Sequence, residues 1–150
     1  MAAMYPGVMP GLVEAIHISA AESELPDPVD AVDVTADGVL GDRYGEARDL
    51  TLIEAEALEG LREDTGIELS AAECRRQVLT RGIRLNDLVG RRFRVGGIEC
   101  EATRLCEPCQ GLTDHIGKPV LKPLAHRAGL RALILTDGEI ALGDEIVALD

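Results

Sequence analysis

The sequence is poor in aromatics: no tryptophan, one phenylalanine and two tyrosines, 2% of 150 residues. Hydrophobic residues still make up 46% of the chain, so the core must be aliphatic, built from Leu, Ile, Val and Ala. Positive charge is scarce as well, with 15 basic against 27 acidic residues and a net charge of -12. A field of that sign repels phosphate backbones and anionic lipid surfaces, which argues against nucleic acid or membrane as a partner. No window approaches the roughly 20 apolar residues of a membrane span. The start, "MAAMYPGVMPGLVEAIHIS", has neither a basic n-region nor a long apolar h-region, so the expected location is the cytoplasm. In that reducing compartment four cysteines read as thiols, metal ligands or catalytic groups rather than a disulfide framework. Repeats, low-complexity tracts and flavin, haem or iron-sulfur motifs are also missing.

What is present suits one domain spanning residues 1–150. "GLVEAIHISA" at 11–20 reads as a strand, "ESELPDPVD" as a loop, and 29–34 as a return to apolar residues. "ADGVLGDRYGEARD" is turn-rich, with Gly38, Gly41 and Gly45. "LTLIEAEALEGLREDTGI" begins as a strand and becomes a helix that Gly66 stops, and Ser70 with Glu73 has the form of a capping box. "RRQVLTRGI" alternates as a strand. Phe93 and Val95, then Ile98, Cys100 and Ala102, share strand faces around a Gly96-Gly97 hairpin turn. Helical segments are expected at 108–115 and 119–126, followed by two strands joined as a hairpin by Asp137-Gly138. Seven or eight short strands with few helices predict a mainly β, mostly antiparallel, barrel-like fold.

The chemistry-bearing stretch is "RLCEPCQGL" at 104–112, with Cys106 and Cys109 three positions apart. Four readings fit. A structural zinc site wants four ligands, commonly two such pairs, but Cys74 and Cys100 are isolated and His17, His115 and His126 lack ligand spacing. A redox dithiol at a helix start fits locally, without the β-α-β order upstream. Two small hydrophobes at a strand end are the packing reading. The fourth is a single thiolate activated by its place. Arg104 would share its strand face, and a helix after Pro108 would aim its N-terminal dipole at the sulfur. Thirteen of the fifteen basic residues are arginine, and several cluster, at 75 and 76, at 81 and 84, and at 91, 92 and 94, so a local anion site is compatible with the acidic whole.

Four segments together, "GVLGDRYG" at 38–45, "RRQVLTRGIRLNDLVGRRFRVGG" at 75–97, "RLCEPCQGL" and "HRAGLRALILTDGEIALGD" at 126–144, resemble the MOSC domain, the module named after the C-terminal part of molybdenum cofactor sulfurase. The resemblance implies a β-barrel-like fold and one signature cysteine, matched by Cys106. In members that bind molybdenum cofactor (molybdopterin) this thiolate is a metal ligand; in sulfurase-type members it carries sulfur as a persulfide. It implies pyridoxal phosphate-independent chemistry, and oxidoreductase members reduce N-hydroxylated compounds with electrons from a separate reductase. The implied partners are the cofactor or a sulfurated small molecule, with a reductase or sulfur donor protein. The alternatives are a carrier or binding module without turnover, and a barrel whose Cys106 is inert.

By matching motifs the resemblance assigns the cofactor's anionic and pterin groups to Arg75 and Arg76 followed by Gln77, then to Arg43 and Arg127, with Asp42 facing pterin donors or orienting Arg43. Arg104 belongs to the same set as the partner of Cys106. Cys109 matches a cysteine of only a subset of the family and would be a resolving thiol. His126, beside Arg127, is the one histidine with a site reading; His17 reads as packing and His115 as a helix-end residue. Two positions depart from the family pattern. Gln77 stands where asparagine is common, moving the amide by one methylene, and Ala128 stands where the first of two glycines is common, which disfavours positive φ there.

Overall fold

The computed structural model describes residues 9–19, 26–42, 49–107, 113–114, 116–120 and 122–149. The elements run β1 (Gly11–Ile18), β2 (Asp27–Val29), β3 (Ala31–Thr35), β4 (Gly38–Val39), β5 (Asp49–Glu54), α1 (Ala55–Thr65) and β6 (Val78–Arg81). A 3₁₀ turn at Leu85–Leu88 follows, then β7 (Arg92–Val95), β8 (Ile98–Leu105), β9 (Leu130–Ile134), β10 (Gly138–Ala141) and β11 (Glu145–Ala148).

Strands β11, β7, β8, β9, β5, β6 and β1 are neighbours in that order, and pairing of β1 with β11 closes them into a barrel. The fold is mainly β and barrel-like, as expected from the number of short strands. All barrel pairings are antiparallel except β5 with β6, which are parallel because α1 and the segment after it form the crossover between them. A second sheet, β10-β3-β4, packs on the barrel, with Val32, Val34, Val39 and Ile140 in the same buried cluster as the barrel interior.

Alternation built the interior. Val13 and Ile16 of β1, Leu50 and Leu52 of β5, Phe93 and Val95 of β7, and Leu130, Ala132 and Ile134 of β9 all point into one buried cluster. Its one aromatic is the chain's single phenylalanine, fully buried among aliphatic side chains. A smaller cluster lies outside the barrel. There α1 sends Leu61 against Ile53, Leu69, Cys74, Val120, Leu124 and Ala128. Gly66 ends the helix in the left-handed region at φ 77, its N–H returning to the Arg62 carbonyl at 2.8 Å.

Several local expectations change. The capping box forms, with Ser70 N–H on the Glu73 carboxylate at 3.0 Å and Glu73 N–H on the Ser70 hydroxyl at 3.1 Å, and it opens the turns at 71–75. The strand expected from residue 75 starts at Val78, because Arg75 takes φ 57 and breaks the extended run. No helix spans 119–126; residues 122–127 are turns, since Pro123 lacks the N–H a helix interior needs. Of the helix expected at 108–115, residues 113 and 114 are helical, and 108–112 and 115 lie outside the described residues. Asp137-Gly138 is not a hairpin turn between neighbours: β9 stays in the barrel while β10 pairs with β3. The Asp137 carboxylate accepts the Ala36 N–H at 3.1 Å, and a Cβ at Gly138 would stand 2.6 Å from Ile98 Cδ1, so the glycine lets the chain pass tightly from one sheet to the other.

Candidate functional site

The site is created by a phase change in β8. Ile98, Cys100 and Ala102 face the barrel interior, and strict alternation would send Arg104 after them. Instead the register with β9 slips between Ala102 and Arg104, so that Arg104 lies opposite Arg131 and Leu105 opposite Leu130. Thr103 is the extra residue of a β-bulge, its hydroxyl donating to the Arg131 carbonyl at 2.9 Å. After the bulge Leu105 packs on the barrel core, while Arg104 and Cys106 line a cavity of about 730 Å³ on the outer face. Register supplies the rest of that wall: Thr51 of β5 lies opposite Arg131, and Asp49 follows two residues away on the same face. The segment 74–77 covers it, with Ser19 and Asp42 contributing from the ends of β1 and of the turn after β4.

Cys106 is held at both ends of its backbone. Its N–H donates to the Gly129 carbonyl at 2.8 Å, and its carbonyl receives Arg76 Nη2 at 3.5 Å. Gly129 sits at φ 108, and a Cβ there would run into the Leu52 carbonyl oxygen, so the second of the two expected glycines is obligatory. Ala128, at the first, packs in the outer cluster without needing positive φ.

Arg131 lines the cavity wall with Cys106 and interacts with it. Burial pulls the Arg131 pKa down, but its hydrogen bond to Asp49 at 2.8 Å and its charge and hydrogen-bond interaction with Cys106 outweigh that and raise it. The other described cysteines are differently placed. Burial pushes Cys74, packed in the outer cluster behind the cavity lining, up to about 11 and Cys100, inside the barrel, up to about 12, so both stay thiols at neutral pH. Cys109 and the helix start after Pro108 lie outside the described residues.

Arg75, Arg76, Gln77, Asp42 and Arg104 all line this cavity with Cys106. Three of them, Arg76, Gln77 and Asp42, are engaged by the chain. Arg76 is 9% exposed and donates to the carbonyls of Ala128 at 2.8 Å and Cys74 at 2.9 Å as well as Cys106, so its fork ties three segments together. Gln77 accepts the Thr51 N–H at 2.9 Å on its side-chain oxygen, and its own N–H donates to the Thr51 hydroxyl at 3.0 Å. Asp42 accepts the Ser19 N–H at 2.9 Å.

Arg127 is elsewhere. It pairs with Asp64 of α1 at 3.0 Å beside a separate cavity of about 530 Å³, and His126 lines that second cavity with it. His126 is tied by its N–H to Glu107 at 2.7 Å. Arg43 lies outside the described residues. Asp49, Thr51 and Arg131 escaped the reading of the sequence, because each is an ordinary outward-facing strand residue whose neighbours are set by register alone.

The MOSC domain family model matches residues 41–147, most of the chain. The chain belongs to the MOSC domain family. Solved structures agree in fold. YuaD from Bacillus subtilis superposes with a TM-score of 0.81 at 17% sequence identity, covering 93% of this chain and 95% of that one. YiiM from Geobacillus stearothermophilus gives 0.74 at 16% identity over 93% and 75%, and YiiM from Escherichia coli gives 0.69 at 15% over 90% and 68%. No curated protein sequence matches the chain. In this MOSC domain no described helix is long and apolar enough to cross a membrane, and among the described residues no cluster of three or more His, Cys, Asp or Glu could hold a metal ion.

Proposed function

We propose that this MOSC protein binds molybdenum cofactor, with the Cys106 thiolate as metal ligand or sulfur carrier. The observation that carries the reading is the placement of Cys106 in the cavity wall, where it interacts with the guanidinium of Arg131. Burial keeps Cys74 and Cys100 as thiols, as their pKa values of about 11 and about 12 require.

The residues present fit such a group. A thiolate is a soft donor suited to a thiophilic metal. The cavity, about 730 Å³, is in the usual range for a cofactor pocket, and its lining is mostly polar and charged side chains, arginines above all, which suits a phosphate-bearing group. Arg75 would take the phosphate or pterin edge, with Ser19 and Asp42 beside it. Arg76 would act at one remove, holding the backbone on which Cys106 rides. When bound, the group supplies two-electron redox chemistry at its metal; by family resemblance the substrates are N-hydroxylated compounds, and a separate reductase supplies the electrons.

The test is molybdenum content after anaerobic purification from a host that makes the cofactor. Wild type should carry molybdenum in stoichiometric amount, Cys106→Ser almost none, and Cys109→Ser most of the wild-type content. Metal-free wild type overturns the cofactor reading, and a persulfide on Cys106 found by mass spectrometry would turn it toward a sulfur carrier. Equal loss in both serine variants would mean a two-thiolate site.

A further inference from the structure

Arg104 and Arg131 stand directly opposite each other on adjacent strands, and both face the cavity that holds Cys106. Like charges across an antiparallel pair repel, and the partial enclosure of this wall screens them less than open solvent would. One carboxylate answers them: Asp49, bonded to Arg131 at 2.8 Å. The other acids of the wall have work of their own. Glu107 receives the His126 backbone N–H and ring, and Asp42 receives the Ser19 N–H. Arg104 is an exposed residue of the cavity wall, and among the described residues no hydrogen bond or ion pair engages its planar fork of donors.

We propose that Arg104 and Arg131 form a seat for a tetrahedral oxyanion, either a free inorganic ion or the phosphate end of a larger reactant, held beside the Cys106 sulfur. Two guanidinium groups on neighbouring strands can each present paired N–H donors, which suits such an ion better than Arg131 alone, whose guanidinium is already shared with Asp49. The occupant removes the repulsion that the fold leaves standing. Because Arg104, Arg131 and Cys106 line one cavity, the occupant lies on the wall that carries the sulfur. The seat rests on reading this cavity as a ligand pocket, and does not depend on molybdenum.

The experiment is isothermal titration calorimetry of the purified chain with inorganic phosphate and, separately, with methyl phosphate, at fixed pH and ionic strength in chloride. Wild type should bind phosphate in preference to chloride. Arg104→Gln should weaken the affinity about tenfold or more, the loss of one charge-assisted contact, and Arg104→Lys should restore part of it. Arg94→Gln, on β7 and paired with Glu145 away from the cavity, should leave the affinity unchanged. Circular dichroism verifies that each variant is folded. If methyl phosphate binds as tightly as phosphate, the seat takes the end of a larger reactant; if only the inorganic ion binds, the occupant is the free ion. Phosphate binding no stronger than chloride, or the same affinity in wild type and Arg104→Gln, overturns the seat. Molybdenum content separates the two proposals: uptake without phosphate binding sinks the seat alone, and phosphate binding without uptake sinks the cofactor reading alone.

Discussion

The barrel interior and the layer on its outer face are both packed from aliphatic side chains, yet they bury polar groups very unequally. Four of the five buried polar residues among those described, Ser19, Thr51, Arg76 and Gln77, line the outer cavity. The interior keeps its shape through side-chain packing inside a closed ring of strands. The outer layer keeps its shape through hydrogen bonds from side chains to carbonyls, with Arg76 spanning three segments. Directional bonds of this kind fix positions more sharply than apolar contact does, and that is what a ligand pocket needs.

Two buried thiols report on the two regions separately, since Cys100 lies opposite Phe93 inside the barrel and Cys74 packs with Leu61 outside it. The largest effect should come from Phe93→Ala, a loss of about 3–5 kcal/mol by urea denaturation for removing a fully buried ring. Alkylation of Cys100 should then speed up while phosphate affinity of the folded protein holds; parallel loss of affinity would mean the two regions are one. Leu61→Ala should cost about 2–4 kcal/mol and expose Cys74 before Cys100, through local opening of the outer layer. Matching alkylation rates at both thiols would break the distinction.

A smaller effect is expected from Arg76→Gln, about 2 kcal/mol, because three carbonyls lose a charged donor. Faster maleimide labelling of Cys106 should accompany it, and unchanged labelling would show that the brace does not hold the cysteine. The smallest change is Glu54→Gln. Burial is the main reason the Glu54 carboxyl is raised, against a lowering hydrogen bond from Leu85 N–H. The folded state therefore holds that proton more tightly than the unfolded chain, and Glu54's contribution to stability is lost as pH rises through its folded pKa. Glutamine keeps an acceptor for Leu85 and removes the charge, so Tm should rise by about 1–2 °C at pH 7, with the gain fading as pH falls through the carboxylate range. A gain that is flat with pH would mean that charge burial is not its cause.

How much was legible in the sequence follows the same division. Period-two patterns in "RFRV" and "IECEA" gave the interior, because a closed barrel needs only the facing of each residue. Cys106, Arg75, Arg76 and Asp42 were found through local motifs, and they do share one cavity. Arg131 and Asp49 were not found, since their importance depends on which strands are neighbours and in what register, and neither carries a local mark. Arg104, read from its strand face as the partner of Cys106, lines the cavity with it, and Arg131 interacts with Cys106 as well. Arg127 was expected in the site because its motif adjoins Gly129, but the turns at 122–127 carry its side chain to α1 instead. The Asp137-Gly138 hairpin failed for a related reason: a local turn signal does not say which sheet the next strand will join.

The bulge at Thr103 also has a meaning for how such a site can arise. Up to Ala102, strand β8 is a plain barrel stave, and its whole contribution to the cavity wall comes after one unpaired residue. One unpaired residue thus divides the stave into a structural half and a chemical half. Removal of that one residue would carry a guanidinium toward the apolar interior. The distance between a plain barrel and one with a thiol pocket on its flank is thus measured in one position of the chain.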